Sequence, residues 1–182
     1  MGNSSHNRRS EISYNLVKFI FFVRDIIEQE QQRGIMLKVL VLFYSQTGNT
    51  EKMARAIVEG AKTAGDVQVE LSYYIDADEL GNYDAIFVGA PTYHHDIPID
   101  IKMLFEESAA RNINLKGKTG AAFGSYGWSG EAPKLVLEIM KNRFEMQVPE
   151  KPLLSRYAPN ASMLDECKAL GKRLAENLIQ QK

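Results

Sequence analysis

Residues 39–44, Val-Leu-Val-Leu-Phe-Tyr, form an unbroken apolar run that empties straight into Ser45-Gln46-Thr47-Gly48-Asn49-Thr50. A run with no polar alternation fits a strand buried on both faces of a parallel sheet. A helical pattern follows at once, with Met53, Ala54, Ile57, Val58 and Ala61 on one face. The small hydroxyl-rich loop therefore joins a buried strand to a helix N-terminus. Such a junction binds anions in open α/β sheets, because free N–H groups and the positive helix end point into one space. The hydroxyls of Ser45, Thr47 and Thr50 add possible donors. No Lys or Arg stands between Lys38 and Lys52. A nucleoside triphosphate loop would carry Gly-Lys-Ser or Gly-Lys-Thr here, and the dinucleotide pattern Gly-x-Gly-x-x-Gly is missing too. A cradle of amides and alcohols suits a single phosphate monoester. The competing reading is an ordinary strand-to-helix turn with good caps.

From residue 38 onward strand and helix patterns alternate, the mark of a parallel sheet with helices on both faces. Strands are expected at 38–44, 67–74, 84–90, 118–125 and 146–156. The second alternates like an edge strand, and Pro149 and Pro152 break the fifth and place it near the other edge. Helices are expected at 50–63, stopped by Gly65, and around Ile97, Ile101, Leu104 and Phe105, with Asp96 as N-cap and Pro98 in the first turn. Ser129 is the expected cap of a third helix facing inward with Leu135, Val136, Ile139, Met140 and Phe144. Cys167, Leu170, Leu174 and Leu178 stripe the last helix.

The chain of 182 residues is enough for one domain with a real core and marginal for two. A net charge of −1 implies neither nucleic acid nor a membrane surface as partner. Cys167 is the one cysteine, so the chain forms no internal disulfide, iron–sulfur cluster or cysteine zinc site. Its apolar helix position reads as inert packing. Single cysteine usage fits a reducing, cytoplasmic compartment.

Two further loops stand out at expected strand ends: Pro91-Thr92-Tyr93-His94-His95-Asp96 and Ser125-Tyr126-Gly127-Trp128-Ser129-Gly130. Plain linkers would not carry Tyr, the single Trp and adjacent His. Residues 41–50, with Ala54 four positions on, resemble the phosphate signature of the flavodoxin family. The 91–98 and 120–132 stretches are similar to the flavodoxin module of flavo-diiron (A-type) flavoproteins. The resemblance spans residues 37–178. It implies the three-layer flavodoxin-like doubly wound fold, five parallel strands in order 2-1-3-4-5, with flavin mononucleotide (FMN) at the switch between strands one and three. It implies that Ser45, Gln46, Thr47, Gly48, Asn49 and Thr50 hold the FMN phosphate. The ring contacts it implies come from Pro91, Thr92, Tyr93, His94, Ser125, Tyr126, Gly127, Trp128, Ser129 and Gly130.

Tyr93 and Trp128 can sandwich a flat isoalloxazine, and Gly127 and Gly130 let backbone approach its edge. A helix-start staple for Trp128 and a core position for Tyr93 are the alternatives. Adjacent side chains diverge, so at most one of His94 and His95 faces the ring. Solvent-facing loop histidines are the plainer reading, and two adjacent His with only His6 elsewhere make no metal site. For the same reason the di-iron centre of the larger relatives, and its oxygen or nitric oxide chemistry, is not carried over.

The leading functional expectation is a free-standing flavodoxin carrying electrons between redox proteins that dock transiently at the flavin edge. The alternative is an NAD(P)H-dependent quinone or flavin reductase on the same fold; a third is a cofactor-free interaction domain. Residues 1–35 read differently from the rest. Residues 1–10 are polar and expected to be disordered. An apolar cluster from Leu16 to Ile27 follows, interrupted by Lys18, Arg24 and Asp25 and too short to span a bilayer. A docking helix, a membrane-surface helix and sequence outside the functional protein remain open, with 36–182 as the FMN-binding domain. A chain starting at Met36 is expected to take up FMN as the full chain does; failure to bind would refute the dispensability of residues 1–35.

Overall fold

The computed structural model describes residues 17–24 and 36–181. Contacts divide the chain into two units, Met1–Met36 and Leu37–Lys182. In the first, residues 17–24 are helical and Val17, Phe19, Ile20, Phe21 and Phe22 are exposed. The expectations for residues 1–16 and 25–35 lie outside the described residues. No helix of the described residues is long and apolar enough to cross a membrane.

The second unit is built on β1 (Leu37–Phe43). Leu37, Val39 and Val41 belong to one core, Leu40 and Leu42 to another, so the strand is buried on both faces as its unbroken apolar run requires. β1 pairs in parallel with β2 (Val67–Ser72) and β3 (Ala85–Gly89), Val39 lying between Val69 and Ala85. β3 pairs with β4 (Thr119–Tyr126), and β4 with β5 (Leu153–Arg156). The sheet order is β2-β1-β3-β4-β5, as expected. β2 alternates half-buried and exposed residues, as an edge strand does.

The helices are α1 (Asn49–Lys62), α2 (Ile99–Ala110), α3 (Glu131–Asn142) and α4 (Ala161–Gln180). Met53 and Ile57 of α1, with Cys167 and Leu174 of α4, pack on Val39, Val41, Phe87 and Phe123. Ile101 and Phe105 of α2, with Val136 and Met140 of α3, pack on Leu40, Leu42, Ile86 and Val88. α1 and α4 meet backbone to backbone: a Cβ on Gly60 would collide with the Lys168 carbonyl, and one on Gly171 with the Ile57 carbonyl. Burial, then the nearby Glu166, pushes the Cys167 thiol up to about 12, which makes it the inert packing group its position suggested.

Two features depart from the sequence pattern. Only Leu153–Arg156 of the 146–156 stretch is strand; Gln147 makes one parallel bridge to Thr119 before Pro149 and Pro152 interrupt the ladder. Proline supplies no N–H, so the strand resumes only past the second one. A 3₁₀ helix, Ala77–Asn82, fills the β2–β3 connection with Ala77 and Leu80 buried, a segment too short to show periodicity.

Gly171→Ala forces a methyl into the Ile57 carbonyl and is expected to destabilise the protein by about 1–3 kcal/mol. A urea midpoint unchanged from that of the parent protein would contradict the tight α1–α4 contact.

Candidate functional site

Three loops leave the sheet side by side at the C-terminal ends of β1, β3 and β4. In the first, Tyr44 N–H donates to Gly89 O at 2.9 Å. Among the described residues, no backbone N–H of residues 45–51 donates to a protein acceptor, and Lys52 N–H closes the first helical turn on Gly48 O at 3.0 Å. The cause is local: four residues, 45–48, separate Tyr44, the last to bond to the sheet, from the first helical residue. Gly48 sits at φ 78° with open space where a Cβ would be. Its backbone angle, rather than crowding, is what calls for glycine; another residue there costs about 1–2 kcal/mol. Gln46 and Thr47 are exposed, while Ser45, Gly48 and Asn49 are half-buried. Gln46 Nε2 donates to the Tyr44 hydroxyl at 3.1 Å.

Thr50 differs from Ser45 and Thr47. It is fully buried, its hydroxyl accepts from Ser125 N–H at 3.3 Å, and it shares a 3.0 Å hydrogen bond with Ser125 Oγ. It ties the first loop to β4. Its hydroxyl thus has a structural role that the sequence did not suggest.

In the second loop, Pro91 is buried, and Thr92 Oγ1 accepts from Ala132 N–H at 3.1 Å, so it caps α3 from the neighbouring loop. Ser129 is therefore not the α3 cap; the residue at that position is Gly130, and Ser129 Oγ lies 3.2 Å from His95 Nδ1. His94 and His95 both have positive φ, 50° and 65°, between Tyr93 and Asp96, whose N–H returns to Tyr93 O at 3.0 Å. Two left-handed residues across such a bond give the backbone signature of a type I′ turn. Both imidazoles are exposed, and they differ in partners: His95 Nδ1 lies 3.2 Å from Glu131 Oε1. Asp96 is not the α2 N-cap either. The cap position is Pro98, and Asp96 instead accepts from Ile97 N–H at 2.7 Å and Lys102 Nζ at 3.3 Å. The Ile97 N–H first, then Lys102, holds its carboxyl below the usual range.

In the third loop, Trp128 is 88% exposed. That overturns the staple alternative, since a stapling indole would be covered by the helix it closes. Tyr93 is half-buried with its ring edge-on to Tyr44, centroids 6.1 Å apart, so it is not a core residue. Tyr126 is half-buried, and Gly127 is exposed. Sequence reasoning missed Tyr157, which is 60% exposed at the end of β5, at φ 61°. Its N–H donates to Tyr126 O at 2.7 Å, and its ring approaches Gly127 and stands 5.3 Å from the Arg156 guanidinium. A solvent-facing aromatic at a strand's C-terminal end was the available signal.

Ser129 first, then His95, holds the Glu131 carboxyl below its ordinary value, and its Oε2 is buried without a hydrogen-bond partner. Among the described residues, no cluster of His, Cys, Asp or Glu could hold a metal ion. The arrangement offers a run of free amides at a helix N-terminus, with hydroxyls beside it, and exposed or half-exposed aromatics on the neighbouring loops. That donor set fits a phosphate joined to a flat ring.

The family model for flavodoxin matches residues 41–171. The type A flavoprotein fprA of Rhodobacter capsulatus is 39% identical over 150 residues, a match covering 78% of this chain and 33% of that protein. A solved flavodoxin from the domain Archaea superposes with a TM-score of 0.72 at 38% identity, covering 79% of this chain and 99% of that one. The flavodiiron protein of Giardia intestinalis also gives 0.72, at 23% identity and over 36% of its chain, which speaks to the fold alone. The chain thus spans about a third of the length of the type A flavoprotein.

Because Ser129 and then His95 depress Glu131 in the folded state, the ionised carboxylate that accepts these contacts is fully present above the ordinary carboxyl value of 4.5 and is lost as pH falls through the lower folded value. The emission of Trp128, three residues away, is expected to change as pH falls below 4.5. Glu131→Gln should abolish that acid step; a step that persists in the variant assigns it to another group.

Proposed function

The chain belongs to the flavodoxin family, whose cofactor is FMN, and from that premise we propose that it is an electron carrier between redox proteins. The observation that carries the reading is the run of backbone N–H groups over residues 45–51 with no protein acceptor among the described residues. Ser45, Gln46, Thr47, Gly48, Asn49 and Thr50 would hold the phosphate, with amides aligned by the N-terminus of α1 and no cation in the loop. Tyr93 and Trp128 would flank the ring. Pro91, Thr92, His94, Ser125, Tyr126, Gly127, Ser129 and Gly130 would shape its rim. Tyr157, beside Gly127, would extend that rim.

When bound, the flavin supplies one- and two-electron transfer. The chain's own residues bind, orient and shield. The αL backbone at Gly48 turns the chain from the loop into α1. The buried Thr50–Ser125 hydroxyl pair fixes the phosphate loop relative to β4. The indole of Trp128 has a free face with which to exclude water from the ring. Transient partners docking at the ring edge, in a cytoplasmic setting, complete this reading.

The test is the absorption and emission of the purified protein titrated with FMN. A yellow complex with quenched Trp128 emission is expected. Trp128→Ala should weaken FMN binding about tenfold or more, the scale of one lost aromatic contact. A protein that stays colourless and unquenched would sink the proposal. Rapid bleaching of the bound flavin by NADPH, with turnover of a quinone, would move it to a reductase.

A further inference from the structure

Beyond Tyr44, on the side away from the ring loops, lies a second concavity. A hollow of about 180 Å³ is lined by Leu42, Tyr44, Tyr74, Asp100, Met103 and Glu107, among others. It adjoins a wider one of about 690 Å³ that shares Tyr44, Tyr73, Tyr74 and Asp100 and reaches Ser45 and Gln46 of the phosphate loop. The floor is apolar, since Leu42 and Ile101 are buried. The walls are not used by the fold: Tyr73 is 81% exposed, Tyr74 68% and Met103 54%.

The charges lining the smaller hollow, Asp100 and Glu107, are both negative. The Asp100 carboxylate has no hydrogen-bond or ion-pair partner among the described residues. Glu107 sits 3.7 Å from Arg111, whose shorter contact, at 2.8 Å, is with Asp78. The one cation lining either hollow, Arg55, is held by Glu51 at 2.6 Å. Helix polarity accounts for Asp100, in the first turn of α2, but not for Glu107 two turns on or for two bare tyrosines beside it. A dinucleotide is a poor fit, because its pyrophosphate would meet Asp100, Glu107 and Glu51. An apolar stem with a cationic head is a good fit: the stem lies on Leu42 and Ile101, and the head meets tyrosine faces and two carboxylates. Anchors of this kind dominate protein–protein contacts when they fill a pocket.

We propose that this aromatic and acidic pocket is the anchor site for a basic redox-partner protein, taking an Arg or Lys side chain from it. The proposal rests on the electron-carrier reading and adds where the partner seats and what chemistry it presents. Its place is apt, because Tyr44 walls the pocket on one side and meets Tyr93 of the ring loop, 6.1 Å away, on the other. A partner anchored here seats one tyrosine ring away from the Tyr93 loop.

Cytochrome c, a small basic haem protein, serves as the probe against the full FMN-loaded chain. Two quantities are read. One is the rate at which the dithionite-reduced protein delivers single electrons to the ferric haem, iron(III) becoming iron(II). The other is the set of amide shifts of the oxidised, labelled protein on titration with the probe, which needs no turnover. The double variant Asp100→Asn, Glu107→Gln is compared with Glu138→Gln, Glu150→Gln, which makes the same charge change elsewhere. The pocket variant is expected to lose about tenfold or more in rate and affinity at low salt, with the difference shrinking at high salt. The control pair should change by less than about twofold, and the shifts should centre on Tyr73, Tyr74 and Met103. Tyr74→Ala, at an exposed position, should lose affinity without loss of thermal stability. Equal losses in the two charge variants, or shifts centred away from those residues, would overturn the anchor site. Failure to reduce ferricyanide, a small oxidant that needs no anchor, would instead overturn the carrier reading itself.

Discussion

The site depends on β1 being apolar on both faces and ending abruptly. Leu40 and Leu42 are claimed by one helix layer, and Val39 and Val41 by the other. Both ends of the strand are pinned. Lys38 N–H donates to Asp84 Oδ2 at 2.9 Å and Asp84 N–H to Lys38 O at 2.8 Å, while Tyr44 N–H reaches Gly89 O. The chain must then leave the sheet and begin α1 within four residues, 45–48. That is too short for its N–H groups to find carbonyls, since neither ladder nor helix reaches them. The row of free amides is a geometric consequence of the short junction, which an αL turn at Gly48 closes into α1.

Hydroxyl and imidazole links then join the three loops into one set. Thr50 holds Ser125, Thr92 holds Ala132, and His95 lies against both Ser129 and Glu131. The first of these is buried, so removing one partner would strand the other at a cost of about 1–3 kcal/mol. The amide row from β1 is thereby set relative to the aromatics on the β3 and β4 loops. A ligand with a phosphate at one end and a flat ring at the other needs that fixed offset.

Patterns that a single element satisfies by itself were legible in the sequence. The apolar run of β1, the alternation of β2 and the stripes of α1 and α4 each follow from burial on known faces, and the sheet order came with the family resemblance. What was not legible depends on partners distant in the chain. Ser129 is a sound local cap for α3, but Thr92, forty residues upstream in sequence, takes the Ala132 N–H instead. Asp96 is a sound local cap for α2, yet the His94-His95 turn sets it two residues too early. Thr50 looked like a free donor because Ser125 is 75 residues away. Tyr73, Tyr74 and Tyr157 each end a strand, where a tyrosine reads as β-propensity until its exposure is known.

The helix N-termini show why an anion belongs at one of them and not at the others. α4 is closed by Asn160, whose side chain accepts from Met163 N–H at 2.9 Å. α3 is closed by Thr92 and carries the Glu131 carboxylate in its first turn. α2 carries Asp100, turned toward the tyrosine-lined pocket. α1 alone of the four has no side-chain cap and a first-turn carboxylate drawn away, since Glu51 is bound to Arg55. Its partial positive charge is left without a counter-charge among the described residues, next to amides without acceptors. A phosphate monoester brings both the charge and the oxygens, while Asp100 and Glu107, one tyrosine away, set the opposite preference for whatever approaches from that side.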